Sequence, residues 1–407
     1  MSRRAYYAVV QLNRFDHHNF LGESEMKRRG GMRLILLLGL VSLFGDITYE
    51  GARGVIGPYL SLLGASALIV GLASGLGELT GYGLRLLSGY LADRTGRYWL
   101  LTGIGYFLLI SIPLLAFAWR WEIALLLILV ERMGKAVRSP ARDAIISHAS
   151  REIGRGTGFG IHEALDQVGA LIGPLLFSAI LLRWEYREAF QVTLIPVILA
   201  MVFLSLAKSQ VPAPRKLEST ESKGEIPREF WFYLVFTFVS VVGFLNFPLM
   251  AYHLKVNSIL EDPKIPLLYA LAMGVDALIA LLVGRAYDKV GFSSLFLVPI
   301  LTPLVPFLFF SGHLVLGILA WGSVMAIQET IMRAAVADLT PPGRRGTAYG
   351  IFNTAYGLSW LIGGASMGLI YEFSWRYIYI FSIGMELLSL PFLLRITRRY
   401  LTWKKGE

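Results

Sequence analysis

Long apolar runs, separated by short polar or Gly/Pro breaks, recur along almost the whole of this 407-residue chain. About 20 apolar residues are what a helix needs to cross the hydrocarbon core of a bilayer. The pattern predicts twelve such spans, at 33–61, 66–88, 98–117, 121–146, 156–182, 189–207, 230–254, 265–286, 294–311, 313–338, 346–370 and 376–394. Between the sixth and seventh lies the only extended hydrophilic stretch, 208–229, whose Pro, Ser, Glu and Lys content predicts a flexible linker. The expected fold class is an all-α membrane protein of twelve transmembrane helices in two pseudo-symmetric six-helix bundles. Its expected parts are an N-terminal tail (1–32), a first bundle (33–207), the linker (208–229), a second bundle (230–395) and a C-terminal tail (396–407). The first tail is polar and expected to be irregular, with Met26 and Met32 as alternative starts. Lys27 to Phe44 has the basic and apolar parts of a secretory signal, but no small-x-small site closes it and apolar sequence continues to residue 63, so it reads as the first span.

The two halves repeat each other. RGTGFGI at 155–161 matches RGTAYGI at 345–351, and at the same offset of 190 Gly173-Pro174 falls on Gly363-Gly364. GYLADRTGR, 89–97, recurs in outline 195 positions later as GRAYDKVG, 284–291. Each copy reads Gly, three residues, Asp, a basic residue, one residue, Gly, and each sits between two apolar runs as a tight polar turn. Repeats of this kind build two bundles with the substrate held between them near the bilayer midplane.

Composition changes the picture little: 55% hydrophobic and 16% charged residues exclude an ordinary soluble domain. The absence of a G-x4-G-K-[ST] motif speaks against an ATP motor, so transport would be secondary. Zero cysteines remove disulfides, thiolate metal sites and a Cys nucleophile. The net charge of +10 is a topology signal: with both termini inside, the inside connections hold 25 Lys and Arg and the outside ones six. Nucleic-acid binding is not needed to explain it.

Seven basic residues fall within the spans, Arg53, Arg85, Arg132, Lys135, Arg138, Arg142 and Arg333. Eleven acids accompany them, leaving aside Glu122 at the outer rim: Asp46, Glu50, Glu78, Glu131, Asp143, Glu163, Asp166, Asp276, Glu329, Asp338 and Glu386. A charge at the bilayer centre costs ~2.5–3.5 kcal/mol on insertion scales, so these must face the interior and pair, or carry function. Helical spacing predicts pairs between Glu50 and Arg53, Glu78 and Arg85, Glu131 and Lys135, and Glu329 and Arg333. Asp46, ~20 Å from Arg33 along the first span, has no such local partner, and Asp166 lies ~15 Å into the fifth span, at a comparable depth. The sequence HEALD at 162–166 is superficially like the H-E-x-x-H of metalloproteases, but Asp166 stands in the last position and no third ligand motif is apparent. Glu163 and Asp166, at i and i+3, read either as proton- or substrate-facing acids or as partners of a nearby base.

The loop motif resembles the signature of the major facilitator superfamily between its second and third helices, through Gly89, Leu91, Asp93, Arg94, Gly96 and Arg97. The second copy keeps Gly284, Asp288, Lys289 and Gly291 but has Ala286 and Phe292 where the first has Leu and Arg. GKAVRSPARDA, 134–144, is similar to a run of one bacterial and archaeal branch, GKG-x-R-x-x-P-R-D-A, with Ala136 and Ala141 departing from it. Asp46, Glu50 and Glu78 fit the same branch. Gly169, Gly173 and Pro174 resemble the G-x3-G-P of the superfamily's antiporters, although Leu175, Leu176 and Phe177 stand where that branch has small residues. The resemblance implies alternating access, no enzymatic activity and no cofactor or metal. It also implies a gating role for Asp93 with Arg138 or Arg142, beside Asp143, in steadying the outward-facing state. Asp46, Glu50, Glu78, Glu131, Arg132, Glu163, Asp166 and Asp276 are the candidate proton and substrate residues. The function expected is proton-coupled antiport exporting a small amphipathic or cationic solute. Uptake by symport, lipid or metal-ion transport, and a non-transporting sensor remain open. Expected partners are the solute, protons and the bilayer, without nucleic acid, for a monomer in the cell membrane with both termini cytoplasmic.

Overall fold

The computed structural model describes residues 3–150, 153–210, 225–341 and 344–405. Most of the expected linker, 211–224, lies outside them. The described chain is helical: α1 (Arg3–Arg53, resumed as Ile56–Leu62), α2 (Ala67–Thr95), α3 (Tyr98–Phe117), α4 (Trp121–Ala149), α5 (Arg155–Leu181), α6 (Tyr186–Gln210), α7 (Arg228–Val256), α8 (Ile265–Val290), α9 (Leu297–Phe310), α10 (Leu314–Leu339), α11 (Arg345–Ser374) and α12 (Tyr377–Lys405). By length and hydropathy alone, nine stretches among the described residues could cross a membrane. One of them, Asp262–Phe310, is folded back at Gly291 into α8 and α9. The charge-laden α4 and the Gly- and Tyr-rich α11 fall below the threshold, yet each packs as a full-length helix of its bundle.

The predicted spans agree with these helices to within a few residues at most ends, with two corrections. The expected irregular tail is helical from Arg3 onward, continuous with the first span. The two loop motifs sit mainly on the last turns of α2 and α8, not in loops, because the chain stays helical to Thr95 and Val290. Gly96 (φ 65°), followed by Arg97, and Gly291 (φ 59°) leave the α-helix, the two glycines in a left-handed backbone that a side chain would strain. The first glycine of each motif faces a neighbouring helix: a methyl on Gly89 would meet Pro140 of α4, and one on Gly284 would meet Thr330 of α10.

The duplication seen in sequence is also one of packing. α5 lies on α1 as α11 lies on α7: a methyl on Gly173 would stand 2.5 Å from the Ile47 carbonyl, and one on Gly363 2.7 Å from the Val242 carbonyl. Small residues let helices approach this closely where hydrophobicity gives no preference between lipid and protein. α1 and α7 also share a break, at Gly54-Val55 in one and at Gly243–Asn246 in the other, where the Asn246 side chain caps the second half by accepting from Leu249 N–H.

Two bundles result, α1–α6 and α7–α12, joined chiefly through α2 on α11 and α5 on α8. At the end away from the linker the bundles are sealed. Gly57 of the resumed α1 abuts Pro248 of α7, Gly71 of α2 abuts Gly364 of α11, Glu372 accepts from the Leu68 N–H at the start of α2 (3.1 Å), and Ser178 donates to the Pro263 carbonyl (2.7 Å).

Candidate functional site

Between the bundles lies a cavity of about 300 Å³. Its deep part is lined by Glu50, Arg53, Lys135, Met273, Asp276 and Met325, and its approach by Arg85, Arg142, Asp143, Phe159, Glu163 and Arg333. Exposure rises towards the linker end, from 9% for the Glu50 side chain to 47% for Asp143, so the cavity opens there. Asp46, Arg138, His162, Asp166 and Glu329 complete most of the charged wall. A smaller recess of about 40 Å³ shares Glu50, Arg53, Arg85 and Lys135 with it and reaches Glu78 and Arg132.

Of the four local pairs expected from helical spacing, Glu50 with Arg53 is the one formed among the described residues; Glu78 and Lys135 pair between helices instead, and Glu131 pairs with other arginines of its own α4. Glu78 binds Arg53 (2.9 Å) and Arg132 (3.5 Å), not Arg85. Glu131 binds Arg138 (3.4 Å) and Arg132 (3.7 Å), while Lys135 reaches Glu50 (4.0 Å) and lies over the Tyr49 ring (4.1 Å). Glu50 and Arg53 do approach, at 3.9 Å. Glu329 and Arg333 make no ion pair among the described residues. The physical reason is desolvation: a buried charge needs several well-placed partners, and facing helices supply more of them than one turn of the same helix. Tyr49, buried between α1 and α4, also stacks under Arg132 (4.2 Å), and Tyr269 of α8 donates to Glu50 at 2.5 Å.

Asp46 and Asp166 face each other closely enough to interact electrostatically, and neither has a hydrogen bond or ion pair among the described residues. Asp276 is 4% exposed, and its Oδ1 has no hydrogen-bond partner among the described residues. Glu163 accepts from Gln167, at 3.4 Å. His162 hydrogen-bonds Ser42 (2.8 Å), which also binds Tyr106 (2.8 Å) and receives Arg142 (2.9 Å), so HEALD supplies part of a hydroxyl network. Glu386, one of the eleven acids, lies off the cavity inside the second bundle, where it accepts from Ser240 (2.7 Å) and Ser389 (3.0 Å).

The expected gate is not assembled in this conformation. Asp93 is exposed and accepts from Tyr98 (3.1 Å), while Arg142 turns inward to Asp143 (3.0 Å) and Ser42, and Arg138 to Glu131 and the Gly105 carbonyl (3.2 Å). Arg94, Arg97, Asp288 and Lys289 stand exposed on the same end. Gly169 and Gly173 serve the α1–α5 contact, with Pro174 beside them in α5. Sequence reasoning missed Tyr82, Tyr106 and Tyr269 as aromatic partners of the membrane charges. For Tyr82 the signal was a tyrosine within one turn of Arg85 on the same helix; Tyr106 and Tyr269 have no charged residue within a turn, so no local pattern marks them.

Comparison with known proteins agrees with this architecture. The family model described as Major Facilitator Superfamily matches residues 36–291 and 233–407. An uncharacterized protein of Mycobacterium tuberculosis is 40% identical over 379 residues, covering 89% of this chain and 93% of its own. An uncharacterized MFS-type transporter of Methanocaldococcus jannaschii is 26% identical over 372 residues, covering 87% and 92%. Among solved structures, a mutant of the nucleoside transporter NupG superposes with a TM-score of 0.75 at 14% identity, over 89% of this chain and 99% of that one.

Proposed function

The chain belongs to the major facilitator superfamily of multi-pass secondary transporters, not enzymes, and from that premise we propose that it is a proton-coupled antiporter exporting a small polar solute that carries positive charge. The observation that carries this reading is the central cavity, sealed at one end and lined by carboxylates of both bundles, where Asp46, Asp166 and Asp276 have no ion pair among the described residues. The scarcity of apolar wall, essentially Phe159, Ala170, Met273 and Met325, favours a polar solute over an amphipathic one. With the charge asymmetry of the sequence setting both termini in the cytoplasm, the cavity is cytoplasm-facing and the protein sits in the cell membrane, working as a monomer. Asp93 would then engage Arg138 or Arg142 only after the bundles rock to close this end.

The test begins with an unbiased ligand-stabilisation screen on the purified protein. Each stabilising solute then enters counterflow and pH-gradient assays in proteoliposomes. Accumulation driven by an opposed proton gradient is the expected result. Exchange that ignores the gradient would remove proton coupling, and accumulation with the proton current would turn the reading to symport. Binding without any flux would make the protein a sensor.

A further inference from the structure

Five of the seven basic residues within the membrane have a carboxylate within 4.0 Å: Arg53, Arg132, Lys135, Arg138 and Arg142. The two with no such carboxylate among the described residues, Arg85 of α2 and Arg333 of α10, come from opposite bundles and meet at one residue. The Arg85 guanidinium lies 4.5 Å above the ring of Tyr82, and Arg333 Nη2 donates to the hydroxyl of the same tyrosine at 3.4 Å. Arg85 commits Nε to the Gly81 carbonyl (3.0 Å), which leaves its two terminal nitrogens free to donate. All three residues line the cavity on its approach side. Glu78 and Asp143 act on Arg85, and Glu329 and Glu163 on Arg333, only from beyond ion-pair contact. The two guanidinium groups repel each other, and the arrangement is stabilised when an anion joins them directly. The planar donor fork of arginine matches carboxylate and phosphate oxygens in two-bonded geometry.

One helical turn deeper than Arg333 on α10, ~6 Å along the axis, stands Glu329, and across from it is Asp276 with its unpartnered, buried Oδ1. The cavity therefore presents anion donors near its mouth and carboxylates further in. We propose that Arg85 and Arg333 form an anion-binding subsite, so that the cargo is a small zwitterion whose carboxylate or phosphate end they hold while its cationic end meets Asp276 and Glu329. This rests on the transporter reading above and narrows its solute class. Because the subsite draws one arginine from each bundle, an anion seated there also draws α2 and α10 together at the open end, the movement that closure requires.

The test uses four probes of matched length on purified full-length protein in detergent: butylamine, butyrate, 4-aminobutyrate and 3-aminopropylphosphonate, with binding read as shifts in the unfolding midpoint over a concentration series. A zwitterion is expected to bind more tightly than butylamine, and the better of the two zwitterions identifies carboxylate or phosphate as the preferred group. Arg333→Gln and Arg85→Gln are expected to weaken zwitterion binding ~10- to 100-fold, the range for loss of a charge-assisted hydrogen bond, and to leave butylamine within about twofold. Asp276→Asn should weaken butylamine and the zwitterions alike. Arg333→Lys, which keeps the charge but not the fork, should fall between and guards against a variant that merely misfolds. Butylamine matching the zwitterions, glutamine variants that bind zwitterions normally, or no probe binding at all would overturn the subsite. Solute flux measured in proteoliposomes is independent of these outcomes, so the subsite can fall while the transporter reading stands.

Discussion

Tyr269 of α8 donates a hydrogen bond to Glu50 of α1 at 2.5 Å, joining the two bundles just beneath the sealed end of the cavity. Opening that end must part α1 from α8, so this bond belongs to one state of the cycle. A hydrogen bond to a charged group contributes ~1.5–3 kcal/mol, about 10- to 100-fold in a two-state population. Tyr269→Phe keeps the ring against Phe247 (4.6 Å between centroids) and Trp321 (6.1 Å) and removes only the hydroxyl. Spin labels on Leu62 and Val256, exposed on the far ends of the two bundles, are expected to show a longer-distance population that grows several-fold in the variant. An unchanged distance distribution would show that the bond does not hold this end shut.

The glycines of α5 predict a purely structural effect. A side chain at Gly173 would drive into the Ile47 carbonyl and the Gly51 backbone, where neither helix can yield without shifting its whole length. Overpacking of this kind costs ~1–3 kcal/mol. Gly173→Val should lower the unfolding midpoint by several degrees, and transport should fall in step with the amount of folded protein. Normal stability with lost transport would instead give this glycine the role in antiport that its resemblance suggested.

How far the chain could be read in advance follows from the physics of each feature. Span positions were legible because crossing the hydrocarbon demands ~20 apolar residues whatever the fold. The duplicated loop was legible because a tight helix stop at Gly96 and Gly291 leaves glycine little competition. Ion-pair partners were mostly not legible, the Glu50–Arg53 pair aside, and Glu78 shows why. Spacing alone offers Arg85 on its own helix, yet Arg53 and Arg132 reach it from α1 and α4, a convergence set by packing that no local pattern encodes. Arg85, thereby left without a carboxylate, became a candidate site residue only once the three-helix contact was known. Asp93 illustrates another case: expected in a loop, it stands on the last turns of α2, and its expected partners are engaged elsewhere in this conformation.

Topology can be tested directly because the native chain contains no cysteine. Ser209 lies at the linker end of α6, and Ser258 follows α7 at the sealed end; both are exposed. In intact cells Ser258→Cys is expected to react with an impermeant maleimide, while Ser209→Cys reacts only after the membrane is opened. The reverse pattern would invert the orientation and make the cavity outward-facing.

The last prediction separates acids that hold the structure from acids that carry protons. Glu78 and Glu131 are buried and each is bound by two arginines. Neutralising Glu131 takes from Arg138 its one ion pair among the described residues, and neutralising Glu78 leaves Arg53 and Arg132 only their longer pairs with Glu50 (3.9 Å) and Glu131 (3.7 Å). Breaking a buried pair costs ~3–5 kcal/mol, so Glu78→Gln and Glu131→Gln should lower folded yield and unfolding midpoint, Glu131→Gln the more. Asp46 and Asp166 face each other in the cavity with no hydrogen bond or ion pair among the described residues, Lys135, Arg138 and Arg142 acting on them only from further off, so replacing them removes little that the fold depends on. If these two acids take up and release the proton, Asp46→Asn and Asp166→Asn leave cargo exchange between equal pH compartments measurable. They abolish the accumulation that an imposed gradient drives, because asparagine has no proton to exchange. The sign is fixed by antiport: in wild-type protein, acidifying the outer compartment increases cargo efflux, and in these variants it should not. Gradient-driven efflux that survives in both single variants and in the double variant would exclude this pair and leave Asp276, whose buried Oδ1 has no hydrogen-bond partner among the described residues, as the next carrier to neutralise.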